Sequence, residues 1–226
     1  MIFVSTLPVT IGNLLDIGAG AGIFAEVAAG HNWNVTAVDP ALDLNRLENY
    51  PRINAIKGTT AQIPETELFD VVTMWDVIEH TANPVELIHD AKEYLKEGGW
   101  LVLETGNYRS AERVRGGTSH WIYQLDHRWY FSPKTLERLL SSIGFADFIF
   151  AERVLRPDWN GSINYAGPSI PHLLKRIAKD PFHFRTHLSM YFGLIQAMEW
   201  EMSGVAIFAM GARLPVQSTL GGQHRS

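Results

Sequence analysis

The stretch Leu14-Leu15-Asp16-Ile17-Gly18-Ala19-Gly20-Ala21-Gly22 constrains this chain more than any other. A short apolar run turns on three alternate glycines and passes at once into a helix-forming segment, Ala21–Ala29, that ends at Gly30. Glycine at such a turn lets the backbone bend sharply and lets a ligand approach without meeting a Cβ. A strand, a tight glycine turn and a helix together make the opening of a βαβ unit. The turn also suits plain strand–helix packing, so the glycines alone do not require a ligand.

The remainder of the chain continues the pattern. Asn13–Ile17, Val35–Asp39, Val71–Trp75 and Trp100–Glu104 are short apolar runs bounded by turn residues, as buried parallel strands are, with a weaker one at Ile53–Lys57. Helices are expected over Pro84–Lys96, with Asn83 as N-cap and Gly98-Gly99 as the stop, and over Ser132–Ser142, with Pro133 in the first turn and Gly144 after the last. After Gly144 two further strands are expected, Ala146–Val154 and Gly204–Arg213. Between them lies an insertion, 156–202, with helical character at Pro171–Lys179 and Phe184–Trp200. The expected fold is α/β: a Rossmann-like, doubly wound sheet, mostly parallel with an antiparallel last strand, plus that helical insertion. One domain over 1–226 accommodates all of it, with a polar tail over 217–226 expected to be disordered.

Composition narrows the function. The chain has no cysteine, which removes disulfides, thiolate metal sites and cysteine nucleophiles. Its net charge of -5 and lack of a basic run argue against a nucleic-acid partner. No apolar window reaches membrane-span length and the first residues do not resemble a signal peptide, so a cytoplasmic protein is expected.

The glycine spacing separates two classes of ligand. A dinucleotide fingerprint needs glycine at the sixth place, where Ile23 stands, and this counts against a nucleotide-dependent oxidoreductase. The pattern present, Asp-x-Gly-x-Gly-x-Gly, resembles the first motif of class I methyltransferases, which bind S-adenosylmethionine. The resemblance continues through Asp39 at the end of the second strand, Gly58-Thr59-Thr60-Ala61-Gln62-Ile63-Pro64, Phe69 to His80 and Leu95 to Glu104, in the branch that includes ubiquinone-pathway O-methyltransferases.

It implies a donor site made of Asp16, Gly18, Ala19, Gly20, Gly22, Asp39, Pro40, Thr59, Thr60, Met74 and Trp75. In it Asp16 serves the methionine ammonium, Asp39 accepts from the ribose hydroxyls, and Thr59 stands where relatives usually carry an acid for adenine. It implies methyl transfer, O-methylation before N- or C-methylation, to a small-molecule acceptor. A non-catalytic module that binds the donor or its product is the alternative. Relatives also carry a longer segment before the first strand, so either a late start codon or closure of the site by another element is expected here, with a more open cofactor edge unless the insertion or a second subunit covers it.

Methyl transfer from a sulfonium is an in-line displacement, and a hydroxyl acceptor must also lose its proton to a base or have its pKa lowered by a metal. Asp76, Glu79 and His80 follow the fourth strand at i, i+3 and i+4, and one helical turn would face all three the same way. His127 lies on the loop after the fifth strand, which must cross the same edge, with Trp129, Tyr130 and Phe131 expected to anchor it by burial. His127 is the preferred base, with Asp76 beside it, since imidazole accepts a proton near neutral pH. Asp76, Glu79, His80 and His127 are also a ligand set for a divalent metal, and they resemble the acid-acid-histidine and later histidine of small-RNA 3′-end 2′-O-methyltransferases. Packing of His80 and a helix-start role for Glu79 are the simpler alternatives. His120, Trp121 and Tyr123 suit either a flat acceptor or the core. The insertion stands where relatives place substrate-recognition elements, and its stripe of Leu188, Tyr191, Phe192, Ile195 and Met198 reads as core or the face of a homodimer before pocket lining.

Overall fold

The computed structural model describes residues 4, 7–153, 174, 177–179, 181, 188 and 207–216. Its elements are β1 (Asn13–Ile17), α1 (Ile23–Gly30), β2 (Asn34–Asp39), α2 (Leu44–Leu47), β3 (Ile53–Lys57), β4 (Phe69–Trp75), α3 (Pro84–Glu93), β5 (Leu95–Gly106), α4 (Ala111–Gly116), α5 (Pro133–Ile143), β6 (Ala146–Arg153) and β7 (Ile207–Arg213). One seven-stranded sheet runs β3-β2-β1-β4-β5-β7-β6. Its first five strands are parallel, and β7 runs antiparallel to both β5 and β6. The chain leaves β1 toward β2 on one side and later returns to β4 on the other. This is the switch point at which open α/β sheets leave a crevice at their carboxyl ends.

Alternation along each central strand makes two cores. Leu15, Val72 and Leu101 pack with Phe208 and with Ile88 of α3 and Leu136 and Leu140 of α5. Their chain neighbours Leu14, Val71 and Val102 face the other way, onto Ala25 and Ala28 of α1 and Leu47 of α2. Both faces are covered, which is why these strands read as continuous apolar runs.

Helix boundaries follow from caps. The Asn83 side chain accepts from the backbone N–H groups of Val85 and Glu86 at 3.2 and 3.3 Å, and Pro84 opens α3. Ser132 and Thr135 cap each other: the Ser132 Oγ accepts from the Thr135 N–H at 3.3 Å, and the Thr135 Oγ1 accepts from the Ser132 N–H at 2.8 Å. Ser132→Ala is therefore expected to lower unfolding free energy by about 0.5–2 kcal/mol in urea titration.

Two expectations are corrected. Helix α3 stops at Glu93, and Gly98-Gly99 lie inside β5. The register of β4 with β5 shifts between Phe69 and Val71, and a Cβ on Gly99 would stand 2.9 Å from the Lys96 carbonyl and 3.1 Å from that of Asp70. The glycines thus serve a bulge in the sheet. Helix α1 starts at Ile23, because Gly22 is held at φ 78° in the left-handed region. The last strand is described over Ile207–Arg213, and its expected first residues, 204–206, lie outside the described residues.

The helices expected at Pro171–Lys179 and Phe184–Trp200, the stripe from Leu188 to Met198 and the tail over 217–226 lie outside the described residues apart from single positions. Among the described residues no helix is long and apolar enough to cross a membrane.

Candidate active site

The glycine loop spans the switch point. The N–H groups of Gly18 and Ala19 both donate to the Val38 carbonyl, at 2.9 and 3.1 Å, tying the loop to the end of β2. Asp39 completes the tie: its Oδ2 accepts from the Gly20 N–H at 3.0 Å and its Oδ1 from the Ala41 N–H at 2.7 Å. The carboxylate thus holds the turn before exposed Pro40, as a capping residue would, and keeps lone pairs for a further donor. At Gly18, held at φ +71°, a Cβ would strike Val77 at 2.5 Å. At Gly20, with φ +54°, a Cβ would meet nothing within 4 Å. One glycine is required by packing; the other leaves backbone bare beside open space, as a ligand-binding turn does.

Under the loop lies Asp16, 1% exposed. Its Oδ1 accepts from the Thr73 hydroxyl at 2.8 Å, while Oδ2 is buried with no hydrogen-bond partner among the described residues. Burial pushes this carboxyl up to about 7; the Thr73 bond lowers it somewhat and nearby Asp39 raises it further. Trp75, at the end of β4, packs on Phe24 with ring centroids 4.8 Å apart, and its buried indole N–H has no hydrogen-bond partner among the described residues.

Other expected loop residues are already engaged. The Thr59 N–H and hydroxyl both donate to the Gln62 Oε1, at 2.6 and 3.2 Å, and the Thr60 carbonyl accepts from the Tyr94 hydroxyl at 2.8 Å. Met74 is fully buried, with its side chain in the core.

Beyond β4 the expected helical turn is absent. Asp76 adopts φ 60°, left-handed for a non-glycine residue, so no helix begins there. A tight turn follows, closed by the His80 N–H on the Val77 carbonyl at 3.0 Å and anchored by fully buried Ile78. It still brings the predicted residues together. One ligand atom each from Asp76, Glu79, His80 and His127 can be chosen so that all four lie within 4.8 Å of one another.

The loop carrying His127 is fastened by backbone: the N–H groups of Arg128 and Trp129 both donate to the Glu79 carbonyl, at 2.8 and 3.2 Å. Of the three expected anchors only Phe131 is buried, at 7% exposed. Trp129 and Tyr130 are 41% and 39% exposed; the Trp129 indole donates to the Thr81 carbonyl, and Tyr130 packs on Tyr108 and Tyr123.

The chemistry of the cluster is set by what its members lack. Glu79 is 2% exposed and neither carboxylate oxygen has a well-formed hydrogen bond among the described residues. Burial pushes its carboxyl up to about 7, Asp76 adds to the rise, and the Thr105 hydroxyl nearby offsets only part of it. The two imidazoles stand edge to face, centroids 4.7 Å apart. Nδ1 of His127 meets the Ile122 carbonyl at 2.8 Å and Nδ1 of His80 meets the Asp126 carbonyl at 3.3 Å. A carbonyl only accepts, so both Nδ1 atoms carry hydrogen, and in the neutral form of each ring Nε2 is the acceptor; the Asp126 carboxylate also lies 3.4 Å from His80 Nδ1.

Sequence reasoning did not single out Thr73, Asp126 or Ile122. Thr73 had a readable signal, a lone hydroxyl in the apolar run Val71–Trp75. Trp121 lies against the cluster, its ring centroid 6.5 Å from that of His127, in space opened by the missing side chain of Gly106. His120 is turned to structure: its Nδ1 accepts from the Ile122 N–H, and burial lowers its pKa.

Known proteins resemble this arrangement. The family described as methyltransferase domain matches residues 3–148. A ubiquinone biosynthesis O-methyltransferase of Rickettsia canadensis is 28% identical over 149 residues, 58% of this chain and 61% of that one. One from Hydrogenovibrio crunogenus is 34% identical over 107 residues, 43% of this chain and 44% of that one. The chain spans about half the length of the curated relatives it matches. Among solved structures, a SAM-dependent methyltransferase from Archaeoglobus fulgidus superposes with a TM-score of 0.58 at 17% identity, covering 90% of this chain and 86% of that one.

Proposed function

This chain belongs to the class I S-adenosylmethionine-dependent methyltransferases, and we propose that it methylates a hydroxyl oxygen of a small molecule held at Asp76, Glu79, His80 and His127. The observation that carries the reading is the convergence of those four side chains at the carboxyl end of β4, beside a glycine loop suited to the donor. An amine acceptor needs less help to react. A site with two carboxylates and two proton-accepting nitrogens is fitted to an acceptor that must lose a proton. The names of the Rickettsia and Hydrogenovibrio relatives point the same way.

The donor supplies a methyl group on a sulfonium, and the residues present fit it. The unpaired Asp16 oxygen suits a cationic ammonium, and Asp39 suits hydroxyl donors of a ribose. Asp39→Ala removes a charged acceptor and the tie to Gly20, so calorimetry is expected to show S-adenosylhomocysteine binding weakened by about 1–3 kcal/mol. Equal affinity in both proteins would remove Asp39 from the site.

The acceptor side fits a divalent metal. Glu79 offers two buried oxygens with no well-formed hydrogen bond among the described residues, and His80 and His127 offer Nε2 while backbone carbonyls fix their rings, as such carbonyls do behind metal-ligating histidines. Two imidazoles favour a transition metal over Mg²⁺. A bound metal would lower the pKa of an acceptor hydroxyl. A second reading keeps the site metal-free, with His127 Nε2 taking the acceptor's proton directly; the Ile122 contact that holds Nδ1–H in place favours it equally.

Transfer of labelled methyl from S-adenosylmethionine to panels of hydroxyl and amine acceptors, with and without chelator, tests the reading. Product only from amines would overturn it. Donor binding with no transfer to any panel would mark a binding module instead.

A further inference from the structure

Asp16 and Thr73 are register partners across the β1–β4 pair at the switch point, and both are buried. Thr73 has one hydroxyl hydrogen. It is directed to Asp16 Oδ1 at 2.8 Å in preference to the Leu15 carbonyl at 3.4 Å. The opposite oxygen, Oδ2, has no partner among the described residues. A buried carboxylate with one hydrogen bond and one bare oxygen is a poor resting state for a charge. A cation placed against the bare oxygen changes that balance.

We propose that Thr73 is a positioning residue for the methyl donor: its hydroxyl occupies one oxygen of Asp16, leaves the other for the donor's ammonium group, and eases the loss of the Asp16 proton that accompanies donor uptake. The inference rests on the donor-site reading above. The groups facing Asp16 are few. From β2 comes Asp39, of like charge; from β4 comes uncharged Thr73; and Gly18–Gly22 contains no titratable side chain.

The sign follows from the free protein. Its Asp16 carboxyl is raised to about 7, so near neutrality much of it is protonated, and the ammonium binds the ionised form. Donor affinity therefore levels off above the pKa and falls below it, approaching about tenfold per pH unit. Thr73→Val keeps the volume but removes the bond that favours the ionised form. It raises the Asp16 pKa further and moves the decline to higher pH.

The test is calorimetry with S-adenosylhomocysteine between pH 6 and 8.5, in buffers of different ionisation enthalpy, so that proton release is counted directly. Wild type is expected to release a fraction of a proton near pH 7 and to lose affinity toward pH 6. Thr73→Val is expected to bind roughly tenfold more weakly at pH 7.5, with its profile displaced upward, and Thr73→Ser to restore both. 5′-Methylthioadenosine, which lacks the ammonium, is expected to show no such profile. A flat wild-type profile with no proton release, or a Thr73→Val curve parallel to wild type, would overturn the proposal while leaving the donor site standing. Failure of both nucleosides to bind at any pH would overturn the two together.

Discussion

Glu79→Ala is expected to lower methyl transfer roughly 10²–10⁴-fold while leaving S-adenosylhomocysteine affinity nearly unchanged. Glu79 has the largest unmet demand in the acceptor site, a buried carboxyl with neither oxygen well bonded. The substitution is also clean. The loop bearing His127 hangs from the Glu79 backbone carbonyl, which alanine retains, so His127 stays in place when the carboxylate goes. If a metal works here, chelation abolishes turnover, a transition metal restores it, and His127→Ala does as much damage as Glu79→Ala. If His127 is a simple base, chelation does nothing and His127→Ala is the more harmful change. Full activity in Glu79→Ala would remove the cluster from the chemistry.

Phe208→Ala is expected to cost about 3–5 kcal/mol of stability in chemical unfolding. Phe208 is fully buried on β7 and packs in the same core as Leu101 and Leu136, where little can move to refill the space. Total stabilities of domains are about 5–15 kcal/mol, so one such cavity removes a large share. Val27→Ala on the exposed side of α1 serves as the control, with an expected change within about 0.5 kcal/mol. A loss under about 1 kcal/mol for Phe208→Ala would mean that β7 is not built into the core as described.

The parallel half of the fold was legible because both of its faces are buried, which imposes continuous apolar runs closed by glycine, proline and capping residues. Ser132-Pro133 and Asn83-Pro84 marked helix starts that the structure reproduces. Gly98-Gly99 misled because a glycine pair after a helix looks the same whether it ends the helix or relieves backbone crowding in a bulge. The acidic turn was legible in its members and misjudged in its shape. Spacing suggested a helix, yet Asp76 at positive φ lets a shorter turn gather the same four groups. The tautomers of His80 and His127 had no signal at all, since they depend on carbonyls of Asp126 and Ile122 that any residue type could supply.

The register of the antiparallel edge has a bearing on how such a chain can diversify. Arg153, the last residue of β6, lies opposite Ile207, the first of β7, and Ile207 in turn lies opposite Gly106 at the end of β5. The interval from 154 to 206 therefore departs and returns at neighbouring points on the carboxyl rim, next to the strand whose following loop carries His127. Its ends are pinned by the sheet whatever lies between them. Halving or doubling such an excursion changes the entropy of closing it by only about 0.6 kcal/mol. The length and sequence of the interval can thus change at little entropic cost, while the glycine loop and the Asp76–His80 turn, built on other strands, stay under separate constraint.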